Sequence, residues 1–205
     1  MISRRTLLIG LSGALAGCSS MQRPLPNAEF LGDLTEVYAR YGSEEFNEGA
    51  RDGTARPASL ARRVVPYDGS EAPGTILVRT KQRRLYLVLG DGSAILYPVG
   101  VGKAGKQWQG QAEIDGAYKE PAWAPTLEIK QDNPSLPDVI PGGSPHNPMG
   151  ARALTLSGGK YAIHGTNRPE SIGTYASYGC IRMFNEDIVD LFGRVQVGTP
   201  VIVTL

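Results

Sequence analysis

The sequence predicts a mostly-β domain with one or two short helices and a large irregular central region. Three observations carry that prediction. Glycine and proline are abundant, 26 and 15 among 205 residues, which is too much punctuation for a long helical bundle. Short runs of β-branched, leucine and tyrosine residues recur between turn signals, where long stretches of helical periodicity would be expected of an all-α chain. From residue 73 onward only two segments read as helices. With 41% hydrophobic and 20% charged residues the chain is neither disordered nor a coiled coil, and its length suits one domain with appendages.

Runs at 75–80 and 84–89 are separated by Lys81-Gln82-Arg83, and Gly90-Asp91-Gly92 is a hairpin turn leading into a third run at 94–99. Further strands are expected at Arg152–Leu156, 161–164, 181–184 and Pro200–Thr204. One helix is expected after Pro125. The other runs from Asn185 to about Arg194, with Asn185 as N-cap, Glu186 and Asp187 in the first turn, and an apolar face of Ile188, Val189, Leu191 and Phe192. Residues 100–150, rich in glycine and proline, form the irregular centre, and long loops on a β scaffold are where sites usually sit. Trp108, Tyr118 and Trp123 in this stretch either line a groove or cap the edge of the core.

The first 72 residues have a different texture. Arg4 and Arg5 precede an apolar run from Leu7 to Ala16, which as a helix would rise only ~15 Å, half of a ~30 Å hydrocarbon core. Residues 1–17 therefore read as a signal peptide, exported by the general or the twin-arginine route. The run ends in Leu15-Ala16-Gly17-Cys18, which resembles a bacterial lipobox. That resemblance implies a lipid on the Cys18 thiol, cleavage before it, and a membrane anchor with several acyl chains; Ser19 is similar to an outer-membrane sorting signal. Residues 18–72 then form a polar, Pro-punctuated linker. Phe30, Leu31, Leu34, Val37, Tyr38 and Tyr41 mark a short amphipathic helix that either docks elsewhere or packs on the domain beginning at residue 73. A formal charge of +1 gives no electrostatic footprint for nucleic acid.

Two cysteines and two histidines leave little choice for the chemistry. They cannot build a cysteine-based zinc cluster, and neither metal nor cofactor is expected. With Cys18 acylated, Cys180 has no disulfide partner, so it is a lone thiol in an oxidising compartment. It lies in Ser177-Tyr178-Gly179-Cys180-Ile181-Arg182-Met183, where Gly179 permits a tight turn that could turn the N–H groups of residues 178 to 180 toward one point, as an acyl-transfer oxyanion requires. A thiol needs an imidazole in reach to be deprotonated near neutral pH. His164 ends a strand-like run and opens the turn Gly165-Thr166-Asn167, whereas His146 lies in a Gly- and Pro-rich loop, so His164 is the better placed base.

His164-Gly165-Thr166, fifteen intervening positions before Cys180, and Ser177-x-Gly179-Cys180-Ile181-Arg182-Met183 together resemble the L,D-transpeptidase family with its YkuD-type catalytic domain. The likeness runs from about Gly74 to Thr204 and takes in 147–154 and the helix opening at Asn185. It implies a YkuD-like β-sandwich or barrel over 73–205 and a cysteine acyltransferase acting on peptidoglycan stem peptides. Cys180 would form a thioester with loss of D-alanine, and an amine from another stem or from an outer-membrane protein would resolve it. His164 would be the base, held by the Gly165 carbonyl. Ser177, Tyr178 and Gly179, with the Cys180 N–H, would frame the oxyanion. Many members carry histidine where this chain has Tyr178, and some carry asparagine where it has Arg182; the guanidinium would meet a substrate carboxylate or form a structural ion pair. Hydrolysis of the same bond, as in an L,D-carboxypeptidase, and a non-catalytic peptidoglycan-binding lipoprotein are the rival readings. All place the protein in the bacterial cell envelope, anchored by lipid and facing the periplasm.

Overall fold

The computed structural model describes residues 56–205. The signal-peptide run, Cys18 and the amphipathic segment at 30–41 lie outside the described residues. Within them the chain is mostly β with two short helices, as the sequence predicts. The strands are β1 (Arg63–Pro66), β2 (Ile76–Arg79), β3 (Arg84–Val88), β4 (Ser93–Pro98), β5 (Val101–Gly102), β6 (Gly110–Lys119), β7 (Arg152–Leu156), β8 (Ala162–His164), β9 (Tyr175–Ser177), β10 (Ile181–Arg182) and β11 (Pro200–Thr204). Helix α1 covers Leu127–Asp132 and α2 covers Asn185–Phe192. Nine strands join in the order β1-β4-β3-β2-β11-β6-β7-β8-β10, and β5 pairs in parallel with β9.

Alternation along the strands explains the core. Val203, Val78, Leu85 and Tyr97 stand opposite one another across β11, β2, β3 and β4, and Val201, Ile76, Leu87 and Ile95 form the adjacent row. All eight are buried in one cluster, joined from the other half of the sheet by Ile114, Leu154, Leu156, Ile163 and Ile181 and from α2 by Ile188 and Leu191. Membership of this cluster alternates along the four strands and fixes the register, because a one-residue slip would turn each of these rows to the other face.

Three parts of the chain depart from the sequence reading. The centre is not wholly irregular: β6, the longest strand, runs through it. Its first half pairs with β11 and its second with β7, and a register shift between Ile114 and Gly116 lets it bend from one half of the sheet to the other. Ordered sheet also begins upstream of residue 73, since β1 pairs antiparallel with β4 as an edge strand. Arg56 and Arg62 tie that upstream segment to α2. The Arg56 guanidinium meets the buried Asp187 carboxylate at 2.5 Å and lies over the Phe184 ring, while Arg62 reaches Asp190 at 3.3 Å. Finally, Asn185 does not cap α2. Phe184 occupies the cap position and its carbonyl accepts from the Asp187 and Ile188 N–H groups, leaving the Asn185 carboxamide for other work. The helix ends at Phe192, and Val189 faces outward instead of joining the core.

Candidate active site

The alternation that sends Leu154, Ile163 and Ile181 into the core sends their neighbours to the opposite face. Register places Tyr118, Ala153, His164 and Arg182 in one row across β6, β7, β8 and β10. Gly116, Thr155 and Ala162 form the next row, and Cys180, one residue before β10, continues it. Cys180 and His164 are thus diagonal neighbours on adjacent parallel strands, a relation that brings side chains within reach of one another. The half-buried Cys180 packs with Met149, Ala153, Ala162 and Trp123 in a small cluster of its own. Alanines at 153 and 162 leave the space that a thiol and an imidazole need above the sheet.

His164 is 4% exposed, and its Nδ1 lies 2.6 Å from the Gly165 carbonyl oxygen. A carbonyl can only accept, so Nδ1 carries the proton and Nε2 keeps its lone pair. Burial, helped by the positive charge of Arg182, lowers the imidazole from 6.5 to about 4. Burial pushes the Cys180 thiol up, against an opposing pull from the Ala162 N–H and Arg182. At neutral pH the resting pair is therefore uncharged, a thiol beside a neutral imidazole. His146, by contrast, is exposed in its loop.

The turn before Cys180 is held from several sides. Gly179 has φ +122°, and a Cβ there would lie 2.3 Å from the Tyr161 ring. Trp108 stacks on Tyr161 with 4.7 Å between ring centroids and donates its indole N–H to the Gly179 carbonyl at 3.0 Å. Ser177, itself buried, donates its hydroxyl to the Cys180 carbonyl at 2.5 Å and accepts from the Gly179 N–H at 3.1 Å. Two features of this turn bear on the expected oxyanion frame. The Gly179 N–H is already taken, and the Ser177 hydroxyl is spent inside the turn. Of the three N–H groups, those of Tyr178 and Cys180 have no acceptor among the described residues.

A family model described as YkuD, the L,D-transpeptidase catalytic domain, matches residues 73–203. The chain belongs to this family. A relative from Escherichia coli, "Probable L,D-transpeptidase YbiS", is 40% identical over 136 residues, covering 62% of this chain and 43% of its own length. The chain thus spans less than half of that relative. "Probable L,D-transpeptidase ErfK/SrfK" of Salmonella typhimurium is 38% identical over 185 residues, 82% of this chain and 58% of the relative. Among solved structures, an L,D-transpeptidase from Mycobacterium smegmatis superposes with a TM-score of 0.52 at 18% identity, covering 65% of this chain and 59% of that one. The catalytic domain of the Enterococcus faecium enzyme gives 0.51 at 20% identity, covering 66% and 100%. Both likenesses concern the fold.

Within this L,D-transpeptidase domain the substituted positions have specific surroundings. The Tyr178 hydroxyl donates to the Asp132 carboxylate at the end of α1, and the Lys103 ammonium sits 3.8 Å from the centre of its ring. The Asp132 carboxyl is held below the usual carboxylate range by that hydrogen bond and by Lys103. Tyr178 thereby joins β9 to α1, a connection that a sequence reading could not supply. Arg182 makes no ion pair among the described residues, and its Nε is buried without a hydrogen-bond partner. The structural ion pair weighed for Arg182 is therefore not found among them. Of the three aromatics, Trp123 touches the Cys180 cluster and Trp108 braces the turn, while Tyr118 stands in the His164 row. Asn185 is the contributor that sequence reasoning missed; the glycines at 150 and 165 that make room for it were the available signal.

Proposed function

We propose that this protein is a peptidoglycan L,D-transpeptidase working through a Cys180 thioester. The observation that carries the proposal is the imidazole of His164, fixed through Nδ1 on the Gly165 carbonyl with a free lone pair at Nε2, one diagonal step from Cys180. As Sγ attacks the carbonyl between the L-centre of the third stem residue and the terminal D-alanine, its proton passes to Nε2. The C–S bond forms and negative charge develops on the carbonyl oxygen, where the N–H groups of Tyr178 and Cys180 are free to donate. Collapse of the tetrahedral species breaks the C–N bond, and the imidazolium returns the proton to the departing D-alanine amine. An incoming amine repeats the sequence in reverse: it loses a proton to His164, forms the new amide, and expels the thiolate, which recovers the proton. The Gly165 carbonyl takes the orienting role of a triad acid.

Arg182, with a buried and unpartnered Nε beside this pair, is read as the contact for a stem-peptide carboxylate. The lipobox at 15–18 supports a lipid anchor on Cys18 with residues 18–72 as tether, placing the domain in the envelope within reach of stem peptides and of envelope-protein lysines. The domain lining the thiol is apolar on one side, with Met149 and Trp123, which favours an amine over bulk water as the second substrate. Hydrolysis of the same thioester is the second outcome to be distinguished. Mass spectrometry of products from a soluble chain beginning at Ser19, given a disaccharide-tetrapeptide with and without an amine acceptor, separates the two. A cross-linked or amine-exchanged product is expected; a tripeptide alone would make the protein a hydrolase, and no turnover would favour a binding lipoprotein.

A further inference from the structure

We infer that Asn185 is a positioning residue that locks the orientation and tautomer of the His164 imidazole. The inference rests on the reading of Cys180 and His164 as nucleophile and base, but its geometry is independent of turnover. The Asn185 carboxamide makes three hydrogen bonds, and all go to two turns beside the site. Oδ1 accepts from the Thr166 N–H and from the Ala151 N–H, each at 3.1 Å, and Nδ2 donates to the Thr166 carbonyl at 3.0 Å.

The bond to the Thr166 N–H matters most. The Gly165–Thr166 peptide is trans and planar, so its carbonyl and its N–H point in opposite directions from one rigid plate. The carbonyl of that plate holds the Nδ1 proton of His164; the N–H is held by Asn185. Fixing one edge of the plate fixes the other. Without Asn185 the plate loses its restraint at the N–H edge, the Gly165 carbonyl can turn from Nδ1, and the preference for a lone pair at Nε2 weakens.

The second Oδ1 bond secures the Gly150–Ala151 turn. The carbonyls of the preceding Pro148 and Met149 also lie against the imidazole, where they favour its protonation. The space is closed around the carboxamide: a Cβ at Gly150 or at Gly165 would lie 2.2 Å from Oδ1. Three residues distant in sequence are thus fitted to one another. Asn185 stands on a firm base, since Ile188 and Leu191 of the same helix are in the main core and Asp187 is held by Arg56.

The test compares the soluble chain from Ser19 with Asn185→Ala and Asn185→Asp, the latter keeping an oxygen for both N–H groups. Steady-state kinetics, thermal melts and nitrogen-15 NMR of the two imidazoles are read together; only His146 shares the spectrum with His164. In N185A the expected result is a kcat lower by roughly 10- to 100-fold with KM changed less than about threefold. The His164 signal should pass from the Nδ1–H tautomer to a mixture while the melt stays cooperative, and N185D, which keeps the acceptor for both N–H groups but sets an oxygen against the Thr166 carbonyl, should recover the Nδ1–H tautomer and part of kcat. Asn185→Leu, matched in side-chain heavy-atom count and branching and without hydrogen-bonding groups, carries the same expectation if the alanine variant does not fold. An unchanged tautomer in N185A or N185L would overturn the inference, whatever happens to kcat. An inactive wild-type chain whose tautomer still depends on Asn185 would overturn the peptidoglycan reading and support the positioning.

Discussion

At the scale of single residues, the proposed chemistry depends on keeping an imidazole neutral beside a thiol. Burial and the Arg182 charge hold His164 near 4, so the acid limb of kcat/KM is expected close to pH 4, well below the 6.5 of an unperturbed histidine. Arg182→Gln removes a charge that lowers both groups. The limb should then move upward and the thiol should become harder to ionise, which a pH–rate profile and the pH dependence of alkylation would read. A profile unchanged by this substitution would show that Arg182 exerts no field on the pair. Cys180→Ser and His164→Ala are expected to abolish turnover with the fold intact, as circular dichroism would confirm. Gly179→Ala should also be severely impaired, because its backbone sits at φ +122° and its Cβ would enter the Tyr161 ring that Trp108 backs.

Between residues and the whole fold, secondary-structure elements decide what the sequence made legible. The strands carrying His164 and Cys180 could be read because Ile163 and Ile181 are β-branched and their spacing to the glycines is distinctive. Strand β6 could not. Among its ten residues only Ile114 is a large buried side chain, and its two glycines, aspartate and glutamate have low β-propensity; the strand exists because β11 and β7 hydrogen-bond to its two halves. Strand β1 was hidden by Arg63 and Pro66, residues that suit an edge and resemble a linker. Asn185 before Glu186 and Asp187 has the look of a cap, yet the turns at 150 and 165, far away in sequence, compete for the same side chain and win with three hydrogen bonds. The turn at Cys180 was legible as a turn, but that Ser177 consumes the Gly179 N–H depends on a side-chain rotamer that no spacing reveals. The upstream segment also carries a prediction. Removing the guanidinium in Arg56→Ala leaves Asp187 buried with only Arg62 at 3.7 Å, and should cost about 3 kcal/mol, or roughly 6–12 °C in Tm. A melt within about 2 °C of wild type would mean that the segment at 56–62 contributes little to the helix it touches.

For the whole molecule, the same histidine links activity to stability. Between 6.5 and about 4 the unfolded chain binds a proton on this imidazole that the folded chain refuses, so stability falls as pH drops through that window. The slope from this one group is at most about 1.4 kcal/mol per pH unit, and chemical denaturation at several pH values should find it diminished in His164→Gln. At the level of the envelope, Cys18→Ala should release the protein from membranes in fractionation without impairing catalysis by the domain; retention on membranes would contradict the anchor. The covalent step on Cys180 is central to the proposed activity. Intact-protein mass spectrometry after brief exposure to a disaccharide-tetrapeptide should find the chain heavier by the stem minus D-alanine, with the adduct mapping to Cys180 and absent in Cys180→Ala. Turnover of the same substrate with no adduct at any time, or with the adduct on another residue, would contradict it.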